Sequence, residues 1–450
     1  MSADLAEIRA QDRAHVWHPL LQHQILDERE LMVIEEGSGA TLKDSTGKTY
    51  LDAYAGLWNV NVGYGREEIA ETVAKQIQKL SFYPHSQINE PAARLATRLA
   101  SMLPGDLQHV FFSNSGSEAN ETAIKIARQY GRQKYPGQNR YKIIARYQGY
   151  HGFTYGAMSA TGQVGRRTKF EPLVPGFLHV DPPYCYRCPL KRTYPECDVA
   201  CVEAFEEVIV REDPTTVAAI IVEPIIGGGG VIIPPDEYLP RLRQICDRYG
   251  ILLILDEVIT GFGRTGKLFA AEHWGVEADI VTLAKGVTSG YLPLGACAVS
   301  SEVFDAFLGD PAAGREFAQV STYGGHPVCC AAALANIEIL MRERLWENAE
   351  RVGLHLREQL SAIDSSFIGE VRGLGLMIAV ELVDENGAML DNERAAKAQA
   401  GIRQAGVIVG RMSHVMDGPE SVFFVSPPLI ITPDQADQIA AAFAAGLNAI

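Results

Sequence analysis

One stretch constrains the fold of this chain more than any other. In Leu252-Leu253-Ile254-Leu255-Asp256-Glu257-Val258, four apolar residues run straight into two carboxylates. A short, continuous apolar run reads as a strand buried on both faces, as at the centre of a parallel sheet. A second run, Ile280-Val281-Thr282-Leu283-Ala284, ends on Lys285 and Gly286, 29 residues beyond Asp256. Two buried strands therefore end in groups of opposite charge. In open α/β sheets, ligands bind beyond the carboxyl ends of the strands.

The rest of the chain supports this architecture. Val110–Phe112, Ile143–Ala145 and Ala218–Val222 are further short apolar runs. Helical spacing separates several of them, over 118–130 and most clearly over 237–249. Alternating strands and helices predict an α/β fold with a mostly parallel sheet covered on both faces. Residues 31–63 alternate and turn, which predicts short antiparallel strands, and 67–80 and 90–101 read as helices. After Pro327 an Ala-rich helix runs toward Glu343, and an α+β unit ends in a helix starting near Pro433. These patterns divide the chain into an N-terminal arm with part of a small domain (1–63), a large ligand-binding domain (64–327) and a C-terminal small domain (328–450).

Other unusual residues also follow predicted strands. Ser115-Gly116-Ser117 opens a helix, and its backbone N–H groups suit a phosphate; read as an ordinary cap, the N-cap would be Ser117. Tyr150 and His151 lie after the 143–145 strand and offer rings that stack on a flat ligand. Asp256 is poorly solvated and needs a partner. Lys285, desolvated and flanked by small residues, suits a Schiff base. An amine of this kind with an acid partner for a ring nitrogen matches the needs of pyridoxal phosphate. Val258 would lie on the same side as Asp256, beneath such a ring. Arg411, in Gly410-Arg411, offers a guanidinium to an anionic substrate group.

Composition excludes some alternatives. With 40 Lys and Arg against 55 Asp and Glu, the net charge of −15 argues against nucleic-acid binding. No apolar stretch approaches the roughly 18 residues of a membrane span. The acidic start, Met1 to Glu7, lacks the basic and apolar regions of a signal peptide, so a cytoplasmic location is expected. Of eight cysteines, four crowd together as Cys185-x-x-Cys188 and Cys197-x-x-x-Cys201. Such pairs hold zinc in some proteins, but the gap between them is short for a zinc ribbon. The alternative is a surface insertion with reduced thiols, and no metal is assigned.

With these segments in place, the chain resembles the class III (ω-) aminotransferases among the fold-type I pyridoxal-phosphate enzymes. The resemblance spans nearly the whole length. Its most specific part is Asp256-Glu257-Val258-x-x-Gly261-Phe262-Gly263-Arg264-x-Gly266, continued through Ala284-Lys285-Gly286. Trp17-His18-Pro19, Ser115 to Asn120, Tyr150-His151-Gly152, Glu223-Pro224, Thr322 to Pro327 and Pro427-Pro428-Leu429 match in the family's order.

The resemblance implies a large domain built on a mostly parallel seven-stranded sheet, and a smaller α+β domain formed by the N- and C-terminal segments. It implies pyridoxal 5′-phosphate on Lys285, with Asp256 at the ring nitrogen and Val258 and Tyr150 on the two ring faces. Ser115, Gly116, Ser117 and His151 belong to the cofactor site, and Thr322 completes the phosphate site from a neighbouring subunit. A homodimer or dimer of dimers follows. Glu223 lies near the ring and can pair with a mobile arginine matching Arg411. Trp58, Tyr83 and Tyr150 fall at the substrate pocket, with His85 at its rim. The Tyr186-Arg187-Cys188-Pro189 insertion resembles that of taurine–pyruvate enzymes. The implied partners are an amine donor (taurine, β-alanine or a simple amine) and pyruvate. The alternatives are a diamine or 4-aminobutyrate transaminase using another keto acid, and an aminomutase.

Overall fold

The computed structural model describes residues 3–27, 31–416, 418 and 420–450. Met1 and Ser2 of the acidic N-terminal reading lie outside them. The strands, in chain order, are β1 (Ile34–Ser38), β2 (Thr41–Asp44), β3 (Thr49–Asp52), β4 (His109–Ser113), β5 (Lys142–Arg146), β6 (Phe177–Val180), β7 (Val217–Val222), β8 (Leu252–Asp256), β9 (Ile280–Leu283) and β10 (Gly295–Val299). They continue with β11 (Ile368–Leu374), β12 (Met377–Leu382), β13 (Val407–Ile408), β14 (Gly410–Arg411) and β15 (Val422–Val425).

The large sheet has seven strands in the order β4-β10-β9-β8-β7-β5-β6. Every residue of β7 and β8 is buried, which accounts for their unbroken apolar runs. β10 is antiparallel to both of its neighbours, β4 and β9; the other pairs are parallel. Chain length explains the exception. A parallel return needs a crossover of about a dozen residues or more. The link 284–294 is shorter than that and holds only the single 3-10 turn Lys285–Val287. It therefore turns back at the rim where β9 ends, and the residues after Lys285 stay beside the carboxyl ends of the strands.

Helices flank the sheet. Gly116–Lys134 follows β4 and packs on β7, β9 and β10, while Tyr238–Tyr249 precedes β8. Pro327–Arg342, buried along most of its length, packs on Glu67–Lys79 and Glu90–Met102. Two smaller sheets complete the fold. β1, β2 and β3 form an antiparallel meander joined in parallel by β13, so the N-terminal strands pair with a C-terminal segment. β11-β12-β15-β14 is wholly antiparallel and is followed by the final helix, Pro433–Leu447.

All eight cysteines are free. Cys185, Cys188, Cys197 and Cys201 line one small pocket. Among the described residues, no group of three or more His, Cys, Asp or Glu side chains is arranged to hold a metal ion. No helix among them is long and apolar enough to cross a membrane.

Candidate active site

A cavity of about 540 Å³ opens at the carboxyl rim of the sheet. Ser115, Gly116, Ser117, Tyr150, His151, Glu223, Asp256, Val258 and Lys285 line it together. They come from chain segments up to 170 residues apart, and each ends or follows a strand of the large sheet.

Asp256 ends β8 and is 3% exposed. Its Oδ2 accepts from Asn120 Nδ2 at 2.8 Å and lies 2.8 Å from His151 Nδ1. Its Oδ1 accepts from the Val258 N–H at 3.1 Å. These bonds fix the plane of the carboxylate and supply the partners that burial demands. Asn120 also donates to the His151 carbonyl at 2.7 Å and accepts from Thr282 Oγ1 at 2.8 Å. Thr282 stands opposite Asp256 in the β8–β9 register. One amide therefore ties a helix, a loop and two strands to the acid.

Lys285 directly follows Ala284 at the end of β9 and opens the 3-10 turn Lys285–Val287. Its φ of +41° is unusual for a residue with a side chain. Such strain persists only where surrounding structure fixes it, and it concentrates at functional sites. Gly286 allows the turn to pack tightly, because a Cβ there would lie 2.5 Å from Asn61 Nδ2. Burial pushes the Lys285 ammonium below the ordinary lysine range, and the negative charges of Asp256 and Glu223 oppose the shift. Burial also raises the Glu223 carboxyl. Glu223 accepts from the backbone N–H groups of Tyr150 at 2.9 Å and Gly227 at 2.8 Å.

At the opposite wall, the 19-residue helix Gly116–Lys134 points its N-terminus into the cavity. The sequence reading places the cap at Ser117, and the structure corrects this to Ser115. Ser115 has extended backbone angles, and its Oγ accepts from Glu118 N–H at 3.2 Å. Ser117 lies inside the first turn, where its Oγ accepts from Phe153 N–H at 3.2 Å. The first N–H groups of a helix lack intrahelical acceptors and favour an anion. Gly116 keeps this end open, since a Cβ there would sit 2.8 Å from Val258 Cγ1.

The other residues named from sequence stand apart from the cavity wall. Trp58 is buried against Phe424, with ring centroids 5.0 Å apart, and its Nε1 donates to Tyr54 Oη at 3.1 Å. Its neighbour Leu57 lines the cavity instead. Tyr83 and Thr322 are exposed. Arg411 Nη1 donates to the Asn392 carbonyl at 3.3 Å. Asn120 is the main participant that residue-level reading treats only as part of a helix cap. Its signal is positional: it shares a helical face with Ser117, Ala123 and Ala127, and a buried amide on that small-residue face requires partners.

A desolvated amine, a buried carboxylate and an anion-binding helix end thus share one cavity. Such a site fits an aldehyde cofactor with a basic ring nitrogen and a phosphate, and on this α/β sheet it defines a pyridoxal-phosphate enzyme of fold type I. The family model for class-III aminotransferases matches residues 25–447. The taurine–pyruvate aminotransferase of Bilophila wadsworthia is 41% identical, over 98% of this chain and 97% of that protein. The hypotaurine/taurine–pyruvate aminotransferase of Paracoccus denitrificans is 38% identical, over 97% and 95%. A thermostable (S)-enantioselective ω-transaminase from Thermomicrobium roseum superimposes with a TM-score of 0.92 at 44% identity, covering 100% of this chain and 99% of that one. The chain belongs to the class-III aminotransferase family and is a pyridoxal-phosphate-dependent aminotransferase.

Proposed function

We propose that this enzyme moves an amino group from an ω-amino acid or simple primary amine to pyruvate, giving an aldehyde or ketone and alanine. The observation that carries the reading is the Lys285 amine, buried in one cavity with Asp256 and held below its ordinary range. The names of the relatives support pyruvate as acceptor, with taurine or hypotaurine as donor in two of them and putrescine in a third, from Pseudomonas aeruginosa.

When bound, pyridoxal phosphate supplies a carbonyl for the amine and a ring that withdraws electrons from the carbon bearing it. Lys285 Nζ would anchor the cofactor through its carbonyl carbon and, once displaced by the donor amine, would carry the proton from the amine-bearing carbon of the donor to that former carbonyl carbon. Asp256, oriented by Asn120 and His151, offers its carboxylate to the ring nitrogen. Val258 and Tyr150 bracket the ring. Ser115, Gly116 and Ser117 hold the phosphate, together with Thr322 of the partner subunit. Glu223 faces the ring and pairs with Arg411 when that arginine turns inward for the α-carboxylate of pyruvate. Tyr150 bounds the donor on the cavity wall, and Trp58, behind the lining Leu57, and the exposed Tyr83 are proposed as its outer contacts.

The active unit is a homodimer or a dimer of dimers. Exposed Phe82, Tyr83, Ile88 and Tyr323 support this, since Phe82 and Tyr323 form a surface aromatic pair with centroids 5.7 Å apart, next to Thr322. The domains divide at 63/64 and 327/328, a division supported by the pairing of β3 with β13. Free thiols throughout support a cytoplasmic location.

The test is alanine formation from pyruvate with taurine, β-alanine, putrescine and 1-phenylethylamine. Alanine produced in step with the donor's aldehyde or ketone supports the reading. Turnover of donors only with another keto acid, or isomerisation without any acceptor, contradicts it.

A further inference from the structure

Arg166 lies in the short helical turn Val164–Arg167, and its guanidinium carbon is 5.4 Å from the centroid of the Tyr150 ring. Tyr150 lines the cavity that holds Lys285 and Asp256. Arg166 Nη2 donates to the Ser413 carbonyl at 3.2 Å, while Nε is buried with no acceptor. These partners are a carbonyl oxygen and an aromatic face, and neither neutralises a guanidinium. A guanidinium carries five N–H donors and the Ser413 carbonyl takes one of them, so donors remain for the oxygens of an anion.

The backbone holds this arginine in place. Val164 N–H donates to the Val415 carbonyl at 3.1 Å. A Cβ on Gly165 would come within 2.8 Å of the His414 carbonyl oxygen. The segment 164–166 therefore rests on 413–415, just beyond Arg411. The positive charge of Arg166 reaches two hydroxyls. Burial raises the phenols of Tyr150 and Tyr54, and Arg166 opposes the shift at both. Tyr54 in turn accepts from Trp58.

We propose that Arg166 binds the anionic end of the amine donor, a sulfonate or carboxylate distal to the amino group. This rests on the amine-to-pyruvate reading above and narrows it to donors with a distal anion. The two arginines then divide the anions between them: Arg411 takes the α-carboxylate of the keto acid, and Arg166 takes the distal group of the donor.

Steady-state kinetics of the cofactor-loaded parent, Arg166→Gln and Arg166→Lys test the proposal. The donors are taurine, β-alanine and uncharged 1-phenylethylamine, each with pyruvate. Losing a charge-assisted pair should raise KM for taurine and β-alanine about 10- to 100-fold in Arg166→Gln, with a smaller change in kcat. The kcat/KM ratio of anionic donor over 1-phenylethylamine should fall by a similar factor, and Arg166→Lys should recover part of it. The two anionic donors separate sulfonate from carboxylate recognition, and a selective loss with either one supports the proposal. A parent that accepts only the uncharged donor overturns it. So does a loss equal for all donors, or a rise in KM for pyruvate instead. If the parent forms no alanine from any donor, the functional reading itself fails and the proposal falls with it.

Discussion

His151 Nδ1 lies 2.8 Å from Asp256 Oδ2, with both side chains almost fully buried. The same oxygen accepts from Asn120, and the other is held by the Val258 N–H. The acid at the heart of the site is therefore fixed by two N–H donors and the His151 ring before any ligand enters. Pre-fixed charges act without reorganisation at the moment of reaction. Replacing Asp256 with Ala should lower kcat for amine-to-pyruvate transfer on the order of 10²–10³-fold or more. Alanine production under saturating substrates measures this.

Asn120→Ala removes the amide that links Asp256, His151 and Thr282. It leaves buried groups unpaired, which costs about 1–3 kcal/mol. The midpoint of urea unfolding should fall without a change in slope, and bound pyridoxal phosphate should be lost more readily on gel filtration. Unchanged stability would mean that the Asp256 network has other support.

Gly116→Ala should weaken cofactor binding, because its new methyl would meet Val258 Cγ1 at 2.8 Å. Trimming the obstacle by adding Val258→Ala should restore part of the affinity, although Val258→Ala alone weakens binding. Neighbouring substitutions of this kind couple by about 0.5–3 kcal/mol. Fluorescence titration of the apo-protein with the cofactor reads the cycle, and strict additivity would contradict the steric account.

His179 provides a pH test. Burial and the adjacent Arg167 lower its pKa to about 4 from 6.5. The ring stacks on Tyr147, and its Nε2 lies 3.1 Å from the Ala160 carbonyl. The folded state therefore resists protonation more than the unfolded state does. Its contribution is fully present above about pH 6.5 and is lost as pH falls toward 4, by about 2 kcal/mol at pH 5. Chemical unfolding at pH 7.5 and pH 5 should show a smaller acid loss for His179→Gln than for the parent.

Much of this architecture was legible in the sequence because buried parallel strands leave unbroken apolar runs. Val217–Val222 and Leu252–Asp256 are evident for that reason. β10 was not: Gly295-Ala296-Cys297-Ala298-Val299 is mostly small residues of weak strand preference, and its antiparallel pairing follows from the short link after Lys285. Charged groups at strand ends exposed the cofactor site, since an acid or amine after four apolar residues demands a reason. Asn120 gave no such contrast, because an amide near a helix start looks like a cap. Arg166 was hidden by its polar neighbourhood, Gly165-Arg166-Arg167-Thr168-Lys169. Only the docking of 164–166 against 413–415 brings it beside Tyr150.

The central claim is that Lys285 carries the cofactor and moves the proton. Borohydride reduction of the loaded enzyme, digestion and mass spectrometry test it most directly. The pyridoxyl group should be fixed on the peptide containing Lys285, and Lys285→Ala should show neither this adduct nor alanine formation. An adduct on a different lysine of the parent, with Lys285→Ala still aminating pyruvate at near-parental rate, would contradict the account.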